Sequence, residues 1–196
     1  MKNWYELTMF ANESMKDSLV TDVADLKGFA WWDFQTGRRI ENWNKDAFLK
    51  ASQPENDGTP DDALATAFFM PVYSNRLQNA IVDAGIDGVQ FLPIKVFRPD
   101  DSLVGGFAIA NILNVLPALD LVKSNFMVFD EDFPNKAVRG HIKWARKVVL
   151  RNDIVEPHDI IRIENYEVPI FVSEKFRKIF QKNKCTGIRF TKVEVE

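Results

Sequence analysis

The sequence predicts an α+β fold, a mixed and mostly antiparallel sheet carrying two similar strand-helix-strand units. Three observations lead there. A segment starting at Met70 reads MPVYSNRLQNAIVDAGIDGVQFLPIKV, and one starting at Val168 reads VPIFVSEKFRKIFQKNKCTGIRFTKVEV. Residues 70–97 and 168–195 thus read as an internal repeat, which constrains architecture more than propensity does. In both copies the apolar spacing changes from helical to alternating after a glycine. The third observation is the apolar stretch GGFAIANILNVL, which carries apolar residues on both faces of an extended chain and predicts a central strand.

The repeat predicts its elements in order. Pro71 matches Pro169, Ser74 matches Ser173, Gly88 matches Gly187 and Phe91 matches Phe190; the serine-to-glycine spacing is fourteen residues in each copy. Ser74 and Ser173 stand where helix N-caps belong, before Leu77, Ala80, Ile81 and Ala84 in one copy and Phe176, Ile179 and Phe180 in the other. Neither serine is followed three residues later by Glu or Gln, so the reciprocal half of a capping box is missing. Gly85 and Asn183 are expected left-handed helix stops. Asp87-Gly88 and Thr186-Gly187 then turn the chain into strands in which the apolar phase slips by one residue. That slip is what a β-bulge, or a strand buried on both faces, produces, and Pro93 suits a bulge or an edge.

Further strands are expected at residues 3–10, 28–34, 142–150 and 159–163. Gly105-Gly106 reads as a turn. The stretch SQPENDGTPDD, residues 52–62, reads as an exposed loop with four acids and no base. The whole chain is read as one domain, 1–196, whose first sixty residues diverge from the rest.

Composition narrows the function classes. With 46% hydrophobic and 27% charged residues, the 196-residue chain is globular rather than disordered or fibrous. Neither a signal-peptide pattern at MKNWYELTMF nor any apolar run of membrane-spanning length is seen, so a cytoplasmic protein is expected. One cysteine, Cys185, and two histidines, His141 and His158, make a poor ligand stock, and neither metal nor cofactor is expected. Residues 1–100 hold 10 Lys/Arg against 15 Asp/Glu, while the remainder holds 15 against 13. That acidic first half argues against a nucleic-acid partner.

Candidate chemistry is sparse. There is no GxSxG elbow, HExxH or Cys-His signature, so the chain is not expected to be an enzyme. His141 and His158 read as solvated residues and Cys185, in the slot of Ile86, as a small buried hydrophobe. Asn111 is the one polar residue on an apolar face and is expected to bond neighbouring backbone. Asp120 and Ser124 suit an Asx turn or a short cap.

Taken together, the apolar-Pro-apolar-aromatic-Ser helix start, the glycine turn, the strand ending in Leu119-Asp120 with Ser124 beyond, and the closing stretch with Pro169, Phe171, Ser173, Phe176, Gly187 and Phe190 resemble a bacterial family of polymorphic-toxin immunity proteins. The likeness runs from about residue 60 to the end. It implies stoichiometric occlusion of a cognate toxin domain, without turnover. The partner-binding residues expected on this reading are Trp32 or Trp43 as anchors, with Glu55, Asp57, Asp61 and Asp62 steering a basic partner. Two alternatives stay open: an enzyme built on carboxylates such as Asp61, Asp62 or Asp120, and an adaptor of a secretion apparatus.

Overall fold

The computed structural model describes residues 2–9 and 18–196. Helix α1 (Asn75–Asp83) begins where the Ser74 Oγ accepts the Leu77 N–H at 3.3 Å. A single helical turn, α2 (Asn152–Val155), follows much later. Helix α3 (Glu174–Lys182) begins at Ser173, whose Oγ accepts the Phe176 N–H at 3.5 Å. Leu77, Ala80 and Ile81 on α1, and Phe176 and Phe180 on α3, are the buried stripes that the helical spacing predicts. Gly85 takes the left-handed step after α1 at φ 62°, as expected. After α3 it is Lys184, at φ 52°, and not Asn183. The Asn183 amide instead donates back to the Ile179 carbonyl at 2.9 Å, which passes the left-handed step to the next residue.

The strands, in chain order, are β1 (Trp4–Met9), β2 (Val20–Thr21), β3 (Val23–Asp25), β4 (Phe48–Lys50), β5 (Ala65–Thr66), β6 (Val72–Ser74), β7 (Val89–Phe97) and β8 (Leu103–Ile112). They continue with β9 (Val115–Leu116), β10 (Asn125–Val128), β11 (Ile142–Lys147), β12 (Val149–Leu150), β13 (Ile160–Ile163), β14 (Tyr166–Ser173) and β15 (Ile188–Val195). One sheet has the order β3-β4-β7-β8-β6 and the other β12-β15-β1-β14-β13-β9; β2-β5 and β10-β11 are two-stranded. The fold is α+β, and most pairings in its mixed sheets are antiparallel.

Around each helix the topology is similar. β6 and β7 flank β8, both antiparallel to it, and α1 joins them. β14 and β15 flank β1 in the same sense, joined by α3. A helical crossover is what allows two strands to stand parallel with a third between them. Both helices pack in one core with Tyr5, Leu7, Tyr73, Ile112, Ile160 and Val172, which draws on both sheets. A second core backs the five-stranded sheet, with Leu49, Val72, Ile94 and Ile109, and a third backs the six-stranded sheet, with Trp4, Ile161, Phe171 and Leu150.

This three-core arrangement explains the phase slips. In β7, Val89 and Phe91 pack on the shared core, whereas Leu92, Ile94 and Val96 pack on the second. Pairing to β8 is unbroken through that change, from Phe91 opposite Ala110 to Leu92 opposite Ile109, and the register shift in β7 falls later, between Ile94 and Val96. In β15, Ile188 and Phe190 pack on the shared core and Val193 and Val195 on the third, with unbroken pairing to β1. Each strand serves a different core on each face.

Four further expectations are corrected. Residues 28–34 do not form a strand: Trp31–Gln35 is a 3-10 turn, because the Asp33 carboxylate accepts the Ala30 N–H at 2.8 Å and closes the chain on itself. Gly105-Gly106 lies inside β8; the reversal before it falls at Asp100–Ser102, where Asp101 takes φ 65°. The stretch from Phe107 is not one strand, since β8 ends at Ile112 and β9 pairs in the other sheet, so this segment stitches the two sheets together. Residues 52–62 are exposed only in part, because Asp61 and Asp62 are buried.

Candidate protein-binding surface

Asp62 is buried where four hydrogen bonds converge on its carboxylate. Its carboxylate accepts from Ser74 Oγ at 2.5 Å, from Arg76 Nε at 2.9 Å and Arg76 Nη2, and from the Thr186 N–H at 3.0 Å. Its own N–H reaches Thr186 Oγ1 at 3.3 Å. Burial pushes the carboxyl upward, but the Arg76 guanidinium, the Ser74 hydroxyl and the Thr186 amide outweigh it and hold the group below the usual carboxylate range. Asp61 beside it accepts from Ser18 Oγ at 2.9 Å.

A similar anchor stands at the other helix. Asp159 accepts from Ser173 Oγ at 2.6 Å and from Lys175 Nζ at 3.2 Å, while the Ser173 N–H bonds the Asp159 carbonyl at 3.0 Å, as Ser74 does with Asp62 at 2.8 Å. Burial opposes ionisation of Asp159 too, and Ser173, Lys175 and Lys2 hold it low. The basic residue two places after each serine was a legible signal; the partner aspartates were not, since they precede the serines by different distances. Asp61 and Asp62 are therefore occupied inside the protein.

The remaining predicted binding residues separate by exposure. Glu55 lies exposed on a 3-10 turn, Pro54–Asn56. Asp57 is exposed but paired with Arg98. Trp43 is half-buried: its ring meets Phe29 and Phe34 at 5.6 and 5.8 Å, and its Nε1 donates to the Pro93 carbonyl at 2.7 Å. Trp32 is 57% exposed. It stands edge-on to Trp31 at 5.3 Å, and Trp31 meets the exposed Phe69 at 5.4 Å, forming a surface aromatic run that the sequence did not reveal. Phe69 also borders a recess of about 400 Å³ with Met9, Phe68, Met70, Val168 and Pro169.

Other singled-out residues have internal tasks. Asn111 is fully buried and donates to the Arg38 carbonyl at 2.9 Å and to Gln90 Oε1 at 3.0 Å; Gln90 in turn clasps both backbone groups of Ile40. The amide thus pins segment 38–40, 73 residues distant in sequence, besides its neighbours. Asp120 closes an Asx turn on the Val122 and Lys123 amides, both at 3.0 Å, and Ser124 brackets Val149. Those amides lower the Asp120 carboxyl, led by Lys123. Cys185 is buried in the shared core, near Ile86. His141 lies 3.6 Å from Glu167. Arg162 was missed altogether: fully buried, it donates Nη1 to the Glu167 and Val168 carbonyls, and burial pushes its guanidinium down to about 10.

Asp62 and Asp120 are both held low, opposite to the raised carboxyl that general acid chemistry favours. Among the described residues no group of three His, Cys, Asp or Glu converges as a metal site, and no helix is long and apolar enough to cross a membrane. No curated protein matches the chain. The sequence profile of the Immunity protein family (Imm11) matches residues 34–195, most of the chain and well upstream of residue 60, where the resemblance had been placed. A profile spanning both sheets, both long helices and all three cores makes the chain a member of the Immunity protein family (Imm11).

Proposed function

We propose that the protein binds a cognate toxin domain in the cytoplasm and neutralises it by stoichiometric occlusion, without turnover or cofactor. The observation that carries this reading is that Trp32 and Phe69, linked through the partly buried Trp31, stand exposed in a member of an immunity family. Large aromatic patches on a surface are costly to leave in water and are enriched at protein interfaces. Trp32 acts as the anchor, and Glu55 and Asp57 contribute the steering charge. Trp43 supports this segment from within, with its ring against Phe29 and Phe34, while Asp61 and Asp62 are bonded inside the protein and stay out of the contact.

The test is co-expression with the toxin domain encoded beside it. Wild type should protect cells, Trp32→Ala should weaken protection, and a purified one-to-one complex should form. A toxin that stays active in the presence of excess wild-type protein would refute the reading. We further propose that the units 70–97 and 168–195 are copies of one strand-helix-strand element; a backbone superposition that fails to align both helices together with both following strands would overturn that.

A further inference from the structure

The ribbon β10–β11 carries a second surface of different character. Phe126 and Ala145, opposite each other, pack inward on the third core. Alternation therefore turns Met127 and Trp144, also opposite each other, outward, where they are 50% and 41% exposed. Register shifts on either side leave Lys143 and Arg146 without a partner in the ladder. Such a bulge bends a strand and re-aims its side chain. Neither cation has a carboxylate partner among the described residues; Lys143 only overlies the Phe129 ring at 5.8 Å.

We propose that this ridge forms a second contact surface for the toxin domain, fitted to a segment that carries carboxylates next to an apolar side chain. The proposal rests on the immunity reading above. Charge selects the partner: Lys143 and Arg146 are uncompensated, whereas Glu55, exposed on its 3-10 turn, is uncompensated with the opposite sign. Residue types agree, since Trp, Met and Arg are the types enriched in interface cores. A phosphate backbone fits less well, because acids interrupt the basic surface: Glu194 pairs with Lys147 at 2.9 Å and Glu196 with Lys123. A polyanion needs a continuous basic stripe.

The experiment measures association and dissociation of an inactivated form of the neighbouring toxin domain against wild type, Trp144→Ala, the pair Lys143→Glu with Arg146→Glu, and Trp32→Ala. Thermal melts of each variant establish that it folds. Trp144→Ala should weaken affinity by about thirtyfold through faster dissociation. The charge-reversed pair should slow association by about tenfold, a gap that closes in high salt. Arg146→Gln should fall between it and wild type. If the ribbon variants bind like wild type while Trp32→Ala does not, the ribbon proposal falls and the immunity reading stands. If wild type itself does not bind, both fall. Ribbon variants that keep toxin affinity but lose binding to single-stranded RNA or to vesicles containing phosphatidylglycerol would also overturn the proposal.

Discussion

The Asp62 carboxylate accepts the backbone N–H of Thr186 at 3.0 Å across 124 residues of chain. The same carboxylate holds Ser74 and Arg76 at the start of α1, and Thr186 follows α3, so one side chain joins the two helical units. Gly187, next to Thr186, lies so close to this segment that an added Cβ would sit 2.3 Å from the Ala63 carbonyl oxygen.

Removing that carboxylate should destabilise the whole protein. Asp62→Ala leaves Ser74, Thr186 and Arg76 without their acceptor and should cost about 3 kcal/mol in denaturant unfolding. Arg76→Ala should cost about 1 kcal/mol, because its side chain is 55% exposed.

The pH dependence follows from the same group. Asp62 and Asp159 are held below their unfolded range, so the folded state binds fewer protons in the acidic window. Their stabilisation is fully present above the unfolded carboxylate value and is lost as pH falls through the folded one. Acid titration of unfolding free energy should show a steep loss below about pH 4, and Asp62→Asn should flatten it.

Gly187→Ala and Gly85→Ala should differ. Both glycines have positive φ, 92° and 62°, but nothing lies within 4 Å of a Cβ at Gly85. The Gly85 change should cost about 1 kcal/mol of left-handed strain; the Gly187 change adds a backbone clash and should cost about 3 kcal/mol in all. Thermal or denaturant midpoints decide it.

Cys185 should resist thiol reagents in the native state. Burial, with a smaller contribution from the Asp62 charge, pushes its thiol up to about 11, so little thiolate exists near neutral pH. A colorimetric disulfide reagent should react slowly with folded protein and at once in denaturant; fast native labelling would contradict the buried placement.

The two predicted tryptophans should behave oppositely. Trp32→Ala should lower toxin affinity by about 2 kcal/mol with an unchanged melting temperature. Trp43→Phe loses its bond to the Pro93 carbonyl and should lower stability by about 1 kcal/mol while leaving association intact. Calorimetry on both variants separates anchor from scaffold.

Features set by local physics were legible in the chain. Ser74 and Ser173 open helices because a hydroxyl three residues from a free amide is a local contact. The slips in β7 and β15 were visible because alternation records which face of a strand is apolar. Tertiary structure alone decided the pairings that span long stretches of chain. Asp61 and Asp62, which read as loop acids, are buried because Ser18, Ser74, Arg76 and Thr186 arrive from elsewhere to satisfy them. Trp31 and Trp32 read as strand residues, and Asp33 turned them into a surface knob beside Phe69. Met127 meets Trp144 only because the ribbon folds back on itself. Caps and periodicity are written within a few residues, whereas a binding surface is assembled from side chains whose sequence distance carries no signal.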